Sequence, residues 1–550
     1  MLGSFKVDNI KDIDGGTYYH FGTKEGIVST LNKCSAGDNN SIHLQINIDG
    51  LPLFKSSSMQ LWPILGRVTN IENSWPFVIG VYCGYTKPRQ AAEYLQEFVA
   101  DLSLVSDRGF THDERSYSVV IDNFICDTPA RAFIKNTKGH TGYGGCDKCT
   151  TRGVHIKSVT FPELDAPLRT DVQFDEMVDE DHHNGPNPLK DLALGMVSKF
   201  PIDYMHLVCL GVMRKLFLMW AGIKIKSPLQ CHLGNNLKSE ISEYLIAIRK
   251  YIPREFPRKP RSLRDLERWK ATEFRLFLLY TEPIVLKNIP KELYDNFLLL
   301  AVAIRILCSP KYCIEWNSHA HDFFTSFVKH FSELYGKDKI TYNVHGLIHL
   351  AKDVSKYGQL DNFSAFRFES FLYQLKQLVR KPTHILSQIV LRISEIANCP
   401  TKQQNTNDTD KLKYPHTQGP LPSADIYKNA TQYKEVRIKG YFIAIKAPNN
   451  CVRINNKVAL VQNIIKFGQT IHIVFVRYTV KRELFDYPMQ SSLLDIHIVA
   501  GIRNNIETAN ISQVTGKYML LPLENPLKPT THDRPAVDVA IPLLHNDIVT

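Results

Sequence analysis

The chain has 550 residues, 44% hydrophobic and 22% charged, an ordinary balance for a folded protein with room for several domains. Its net charge of +11 fits a polyanionic partner without specifying one. The longest apolar run, Phe297–Ile304, is too short to span a bilayer, and the first twelve residues lack the apolar core of a signal peptide. Eleven scattered cysteines do not make a disulfide framework, so the expectation is a soluble, reduced, intracellular chain.

Residues 1–40 are polar and Gly-rich; they read as a lead-in with no recognisable DNA-binding motif. Ile42–Ile48 alternates like a strand and ends at Asp49-Gly50. Leu61–Ile71 and Phe77–Tyr85 read as the next two strands. Arg89–Val105 carries apolar residues at helical spacing, and Tyr117–Ile125 is a fourth strand followed by Asp127. Three strands, a helix and a strand, with acids ending the first and fourth, is the order of an RNase H-like α/β core. There the first and fourth strands are neighbours, so Asp49 and Asp127 converge. This core fills residues 41–149 in its first part.

Residues 150–340 are expected to be a mainly helical insertion, opening with a polar, Pro- and acid-rich loop up to residue 200. Its helices read as Val208–Ile225, Leu237–Tyr251, Leu263–Tyr280, Lys291–Cys308 and Glu315–Tyr335. Residues 341–385 return to the core. Thr341–Tyr357 carries His345 and His349, and the amphipathic Ser364–Arg380 carries Glu369. A polar linker, 400–424, leads to a small β-rich C-terminal domain, 425–550, dense in β-branched runs.

Two sets of residues have metal-ligand character. Asp49, Asp127 and a glutamate on a later helix are hard oxygen donors of the kind that hold Mg²⁺, and two such ions about 3.5–4 Å apart activate water against a phosphodiester. Asp122, a lone acid inside the fourth strand, competes with Asp127 for the second place. Cys146-x-x-Cys149 is a zinc half-site, and His345 and His349, four apart on one helix face, complete a tetrahedral set. Loop thiols and two half-buried helix histidines are the alternative readings of these four residues.

The spacing is more informative than any one piece. Asp127 to Cys146 is nineteen residues and His349 to Glu369 is twenty. An Asp, a C-x-x-C, a long helical insertion, an H-x(3–4)-H and a Glu resemble the layout of DDE transposases of the CACTA (En/Spm)/Mirage/Chapaev and Transib types. The catalytic subunit of the V(D)J recombinase is similar in layout. The segments NIDGLPLFKSSSMQLWPI, CDTPARAFIKNTKGHTGYGGCDKC and FPIDYMHLVCLGVMRKLF look most like the CACTA group, over residues 40–385.

The resemblance implies Asp49, Asp127 and Glu369 as a catalytic triad holding Mg²⁺ or Mn²⁺. It implies Cys146, Cys149, His345 and His349 as ligands of a structural Zn²⁺. It further implies a nuclear protein, a dimer or larger, acting on transposon ends and target DNA, with no membrane. Asp203-x-x-His206 also matches, and a helix N-cap with a packed histidine is its simplest reading. Arg131 reads as a phosphate contact or a solvated turn residue, and the basic run Arg254–Lys270 as a phosphate-binding face or a solvated one. Two rival readings stand beside the transposase: a catalytically silent, transposase-derived DNA- or protein-binding protein, and an RNase H-fold nuclease acting on RNA or hybrid duplexes.

Overall fold

The computed structural model describes residues 7–34, 37, 39–223, 231–398, 411–422, 427, 430–526 and 537–544. The chain divides into two compact units, Met1–Leu207 with Gly336–Asn405, and Val208–Tyr335 with Thr406–Thr550. The first is mixed α/β. The second joins a helical segment to a β-rich C-terminal region.

Strands β1 (Lys11–Ile13), β2 (Gly16–His20), β3 (Ser41–Ile48), β4 (Leu51–Pro52), β5 (Gln60–Val68), β6 (Phe77–Gly84), β7 (Phe110–His112) and β8 (Arg115–Ile125) form the sheet of the first unit. Their order is β1-β2-β6-β5-β3-β8-β7, with β4 beside β5. Neighbours are antiparallel except β3 and β8, which run parallel. Helix α1 (Thr23–Leu31) sends Ile27, and α2 (Ala91–Arg108) sends Tyr94, Leu95, Phe98, Leu102 and Val105, into a core shared with Ile42, Leu44, Ile46 and Ile48 of β3. Because strand side chains alternate, Gln45 and Asn47 face the other way. They are nevertheless buried, and Gln45 bonds Asn123 of β8 across the ladder at 2.9 Å.

A bulge in β8 decides which acid meets Asp49. Leu44 pairs with Ile121 but Gln45 pairs with Asn123, so Asp122 is an extra residue without a partner on β3. Before it, Tyr117, Val119 and Ile121 face the apolar core; after it, Phe124 and Cys126 do. The extra residue therefore reverses the parity of the strand and turns positions 123, 125 and 127 to the face of Gln45, Asn47 and Asp49. Asn47 pairs with Ile125, the last pair of the ladder, and Asp49 and Asp127 each follow two residues beyond it. Asp122 is instead held by His43 Nδ1 at 2.9 Å and Thr69 Oγ1 at 2.5 Å.

Several expected boundaries are corrected. The lead-in, residues 1–40, holds β1, β2 and α1, and β2 pairs along β6; strands this short leave too few alternations to read. Residues 150–207 belong to the first unit rather than to a helical insertion. Phe174, Leu189, Met196 and Phe200 anchor that largely irregular stretch to the same apolar core. The linker 400–424 contains a strand, Lys411–His416, paired with Thr431–Ile438; it is an edge strand, where Pro415 is tolerated. Residues 400–410 and 423–424 lie outside the described residues.

In the second unit Lys291–Cys308 is buried without interruption from Asn296 onward, and it packs on Asn317–Tyr335. The expected helix Val208–Ile225 is a π-helix, Met205–Met213, running into an α-helix, Arg214–Ala221; positions 224 and 225 lie outside the described residues. Leu263–Tyr280 is broken at Trp269, whose extended backbone is fixed by its indole bond to the Ser262 carbonyl at 3.3 Å. The basic run 254–270 is partly consumed internally: Arg261 pairs with Glu273, Lys259 donates to two carbonyls, and Arg254 lies over the Phe442 ring at 4.7 Å. The C-terminal strands form a ten-stranded sheet among the described residues, and no described helix is long and apolar enough to cross a membrane.

Candidate metal centres

Two clusters of ligand-type side chains form in the first unit. The path to the first begins at Asp127, which N-caps helix α3 (Thr128–Lys135) by accepting from Ala130 N at 2.7 Å, with Pro129 in the first turn. Arg131 and Lys135, one turn apart, both reach the buried carboxylate of Asp147, at 2.9 and 3.2 Å, and Tyr342 OH donates to it at 3.0 Å. Burial pulls the Asp147 carboxyl up, but the two cations outweigh it and hold it below the ordinary carboxylate range. Burial lowers Lys135 to about 8 in spite of Asp147. Arg131, 1% exposed, is therefore neither a solvated turn residue nor a phosphate contact.

Asp147 and Lys148 are the middle residues of Cys146-x-x-Cys149. Lys148 bonds Asp353 at 2.7 Å, and the other oxygen of Asp353 accepts from Ile202 N at 2.8 Å. The turn leading in needs glycine: a Cβ on Gly144 would lie 2.7 Å from the Asp181 carbonyl, and one on Gly145 only 2.5 Å from that of Gly139. Arg169 then holds the Cys146 carbonyl at 3.0 Å. Both thiols are thereby aimed at Tyr342–His345 and the 3₁₀ turn Gly346–His349 that follows it.

The four ligand atoms form a small tetrahedron. Cys149 Sγ is 3.5 Å from Cys146 Sγ and 3.3 Å from His345 Nε2; Cys146 Sγ to His349 Nε2 is 3.6 Å, and the two imidazole nitrogens are 3.3 Å apart. A tetrahedral zinc with Zn–S of about 2.3 Å and Zn–N of about 2.0–2.1 Å requires edges of about 3.3–3.8 Å. All four residues are buried. Burial disfavours the Cys146 thiolate, yet the Cys149 thiol and the His349 imidazole outweigh it and hold the Cys146 thiol well below its usual range. The cluster can hold a metal such as zinc, closed off from water.

The second cluster is Asp49, His206 and Glu369, whose ligand atoms lie within 4.8 Å of one another. Asp203 organises it. One of its oxygens accepts from Ala365 N at 2.9 Å, at the head of the Phe366–Gln377 helix that carries Glu369. The other accepts from His206 N at 3.0 Å and bonds His206 Nδ1 at 2.7 Å. His206 Nε2 is then left facing Glu369 Oε1 at 3.8 Å. Burial opposes charge on His206, but Asp203, Asp49 and Glu369 outweigh it and raise its pKa to about 9.

Asp49 and Glu369 share a hydrogen bond, and both are raised from their ordinary values, first by burial. Asp127's charge is the next cause for Asp49, against the opposing effect of His206. Acids pressed together with only one imidazole between them are short of positive charge. That is a donor set a divalent cation fits.

Of the expected triad, Asp49 and Glu369 meet, while Asp127 stands outside the tightest cluster but within electrostatic reach of both. One oxygen of Asp127 is committed to the α3 cap. Asp122 is in neither cluster. His206 takes the third place, and the Asp203-x-x-His206 spacing at a helix start was the visible signal. The chain matches a domain of unknown function, DUF8592, over residues 415–541, in the β-rich region. No curated protein matches the chain.

Proposed function

We propose that the first unit is the catalytic body of a DDE-type DNA transposase, or of a protein derived from one, built on an RNase H-like core. The observation that carries this reading is the meeting of Asp49 and Glu369 with His206, with Asp127 across the β3–β8 register, in a unit that also holds the closed Cys/His cluster. Asp49, Asp127 and Glu369 would hold Mg²⁺ or Mn²⁺, and the Cys/His four would hold zinc. Bound divalent cations lower the pKa of a water and stabilise the leaving oxygen of a phosphodiester.

The chain's own residues supply position and protons. Asp49 and Asp127 each follow two residues past the last pair of the parallel β3–β8 ladder, and the Asp203 bridge fixes the Glu369 helix against the His206 turn. Asp203 also fixes the His206 ring with Nε2 toward Glu369, so a proton on Nε2 would be available to a departing oxygen bound at this cluster. DNA ends and target are the partners of this reading, with pairing of two chains and a nuclear site of action as its family-based expectations.

The test is nicking of supercoiled plasmid with Mg²⁺ or Mn²⁺. Wild-type nicking, lost in Asp49→Asn and Glu369→Gln proteins that still fold and keep their zinc, is the expected result. Asp127→Asn is the informative change at that position, because it keeps the helix cap. A zinc-loaded wild type that binds DNA but never nicks it would favour the silent, transposase-derived reading. Preference for RNA–DNA hybrid over duplex DNA would favour the RNase H-fold nuclease.

A further inference from the structure

A row of paired residues closes one end of the first unit's sheet. Pro52 of β4 pairs with Gln60 of β5, and Gln60 pairs with Gly84 of β6. This is the end at which Asp49 follows Ile48, because β5 runs antiparallel to β3 and Ile48 pairs with Ile64. Lys376 Nζ donates to the Pro52 carbonyl at 2.5 Å, which ties the Phe366–Gln377 helix to the row. Tyr373 lies one turn from Glu369 and one turn from Lys376, so all three share a helix face. At the other end of the row Tyr85 follows Gly84 and opens the loop that carries Lys87, whose Nζ lies 4.8 Å from the Phe133 ring of α3.

Two properties set this rim apart. Residues 50–60, 84–92 and 370–384, which meet there, contain no Asp or Glu. Lys55 and Lys87 are exposed, and among the described residues neither they nor Lys376 has a carboxylate at ion-pair distance. Arg89 is the exception, paired with Asp14 at 3.2 Å. Lys376 uses one of its three N–H donors on Pro52. The second property is aromatic: Tyr373 is 66% exposed and Tyr85 64%, more than any other aromatic side chain among the described residues. Open ring faces interleaved with unpaired lysines are what hold single-stranded nucleic acid, whose bases stack on the rings while its phosphates meet the cations. A duplex offers the phosphates but keeps its bases stacked inside, so the tyrosines favour an unpaired strand.

We propose that this rim binds single-stranded DNA beside the Asp49–His206–Glu369 cluster, with bases stacked on Tyr373 and Tyr85 and phosphates on Lys55, Lys87 and Lys376. This rests on the DNA reading above. The test is anisotropy of labelled oligo(dT) with the full chain, without divalent metal, across a salt series. The variants are Tyr85→Ala, Tyr373→Ala, Tyr373→Phe and a double change, Lys55→Gln with Lys87→Gln. Tyr414→Ala, at a tyrosine 60% exposed in the second unit, is the control, and thermal melting checks that each variant folds.

Each tyrosine-to-alanine change is expected to raise Kd by about fivefold or more at every salt concentration, with the salt slope unchanged. Tyr373→Phe should bind as wild type, because the ring and not the hydroxyl stacks. The lysine pair should reduce the slope of log affinity against log salt by about 1.4, the signature of two lost single-strand contacts. Folded tyrosine variants that bind like wild type, or an equal loss in Tyr414→Ala, would overturn the surface. So would a wild type that binds no single strand, or that prefers duplex to oligo(dT). Tighter binding of oligo(rU) would make the strand RNA and overturn the DNA assignment. If these residues hold oligo(dT) but wild type never nicks plasmid, the surface stands and the nuclease reading falls. If wild type nicks and the variants bind oligo(dT) unchanged, the surface falls and the nuclease reading stands.

Discussion

The two clusters of the first unit use some of the same residue types to opposite ends. In the Cys/His cluster every ligand atom has two of the others at 3.3–3.6 Å, every residue is buried, and the residues between the thiols are tied down by ion pairs. In the Asp/His/Glu cluster burial, with the neighbouring acids, raises the pKa of Asp49 and of Glu369, Glu369 is 43% exposed at its side chain, and the imidazole is anchored from behind by Asp203. The first geometry satisfies four soft ligands and leaves no open position, as a structural metal requires. The second leaves acids short of positive charge at a partly exposed position, where a divalent cation would balance them. Burial of the surrounding charges, more than ligand identity, separates the roles.

The harshest way to break that contrast is Cys149→Ser. About one zinc per chain is expected by elemental analysis of wild type. The variant should lose both the ion and the folded first unit, since binding at structural zinc sites contributes on the order of 10 kcal/mol to folding. Zinc-free wild type that is fully folded would end the closed-site reading.

Next in size is the support beneath the knuckle. Arg131→Met leaves the buried Asp147 with a weaker set of partners and should cost about 3–5 kcal/mol in denaturant unfolding. A loss below 1 kcal/mol would mean that Lys135 and Tyr342 suffice.

The open cluster should respond to pH rather than to truncation. His206 is raised to about 9 in the folded chain against an ordinary value near 6.5, so its stabilisation is complete below about pH 6.5 and is lost as pH rises to about 9. The raised carboxyl of Asp49 acts in the same direction, because the folded state holds its proton longer than the unfolded chain. Metal-free wild type should therefore lose stability across this range, His206→Gln should flatten the upper part of the fall, and Mg²⁺ or Mn²⁺ should reduce it. A flat profile in wild type would contradict the charge imbalance.

Asp122→Asn should do least. Its partner His43 is 42% exposed at the side chain, so a change of about 0–1 kcal/mol and intact nicking are expected. Loss of nicking in Asp122→Asn but not in Asp127→Asn would overturn the parity argument drawn from the bulge.

Much of the site was legible because ligand chemistry is carried by residue type. Cys-x-x-Cys, two histidines four apart and an acid at each of two strand ends can be read one by one, and their spacing supplies the order. His206 was visible as a spacing but not as a member of the site, since nothing local says that Asp203 also binds the head of a helix more than a hundred residues later. Arg131 was misread for the same reason: a basic residue after a strand is usually wet, and only the folded chain puts Asp147 beside it.

By itself the sequence determined which segments alternate as strands, which carry a helical stripe, and which side chains have metal-ligand character, because these depend on neighbours within a few residues. Tertiary structure alone decided the rest. It made Lys11–Ile13 and Gly16–His20 part of the sheet, brought residues 150–207 into the first unit, and used a single extra residue in β8 to reverse the strand's parity between Asp122 and Asp127. Register and burial are properties of pairs of distant segments. No local pattern encodes how two strands count past each other.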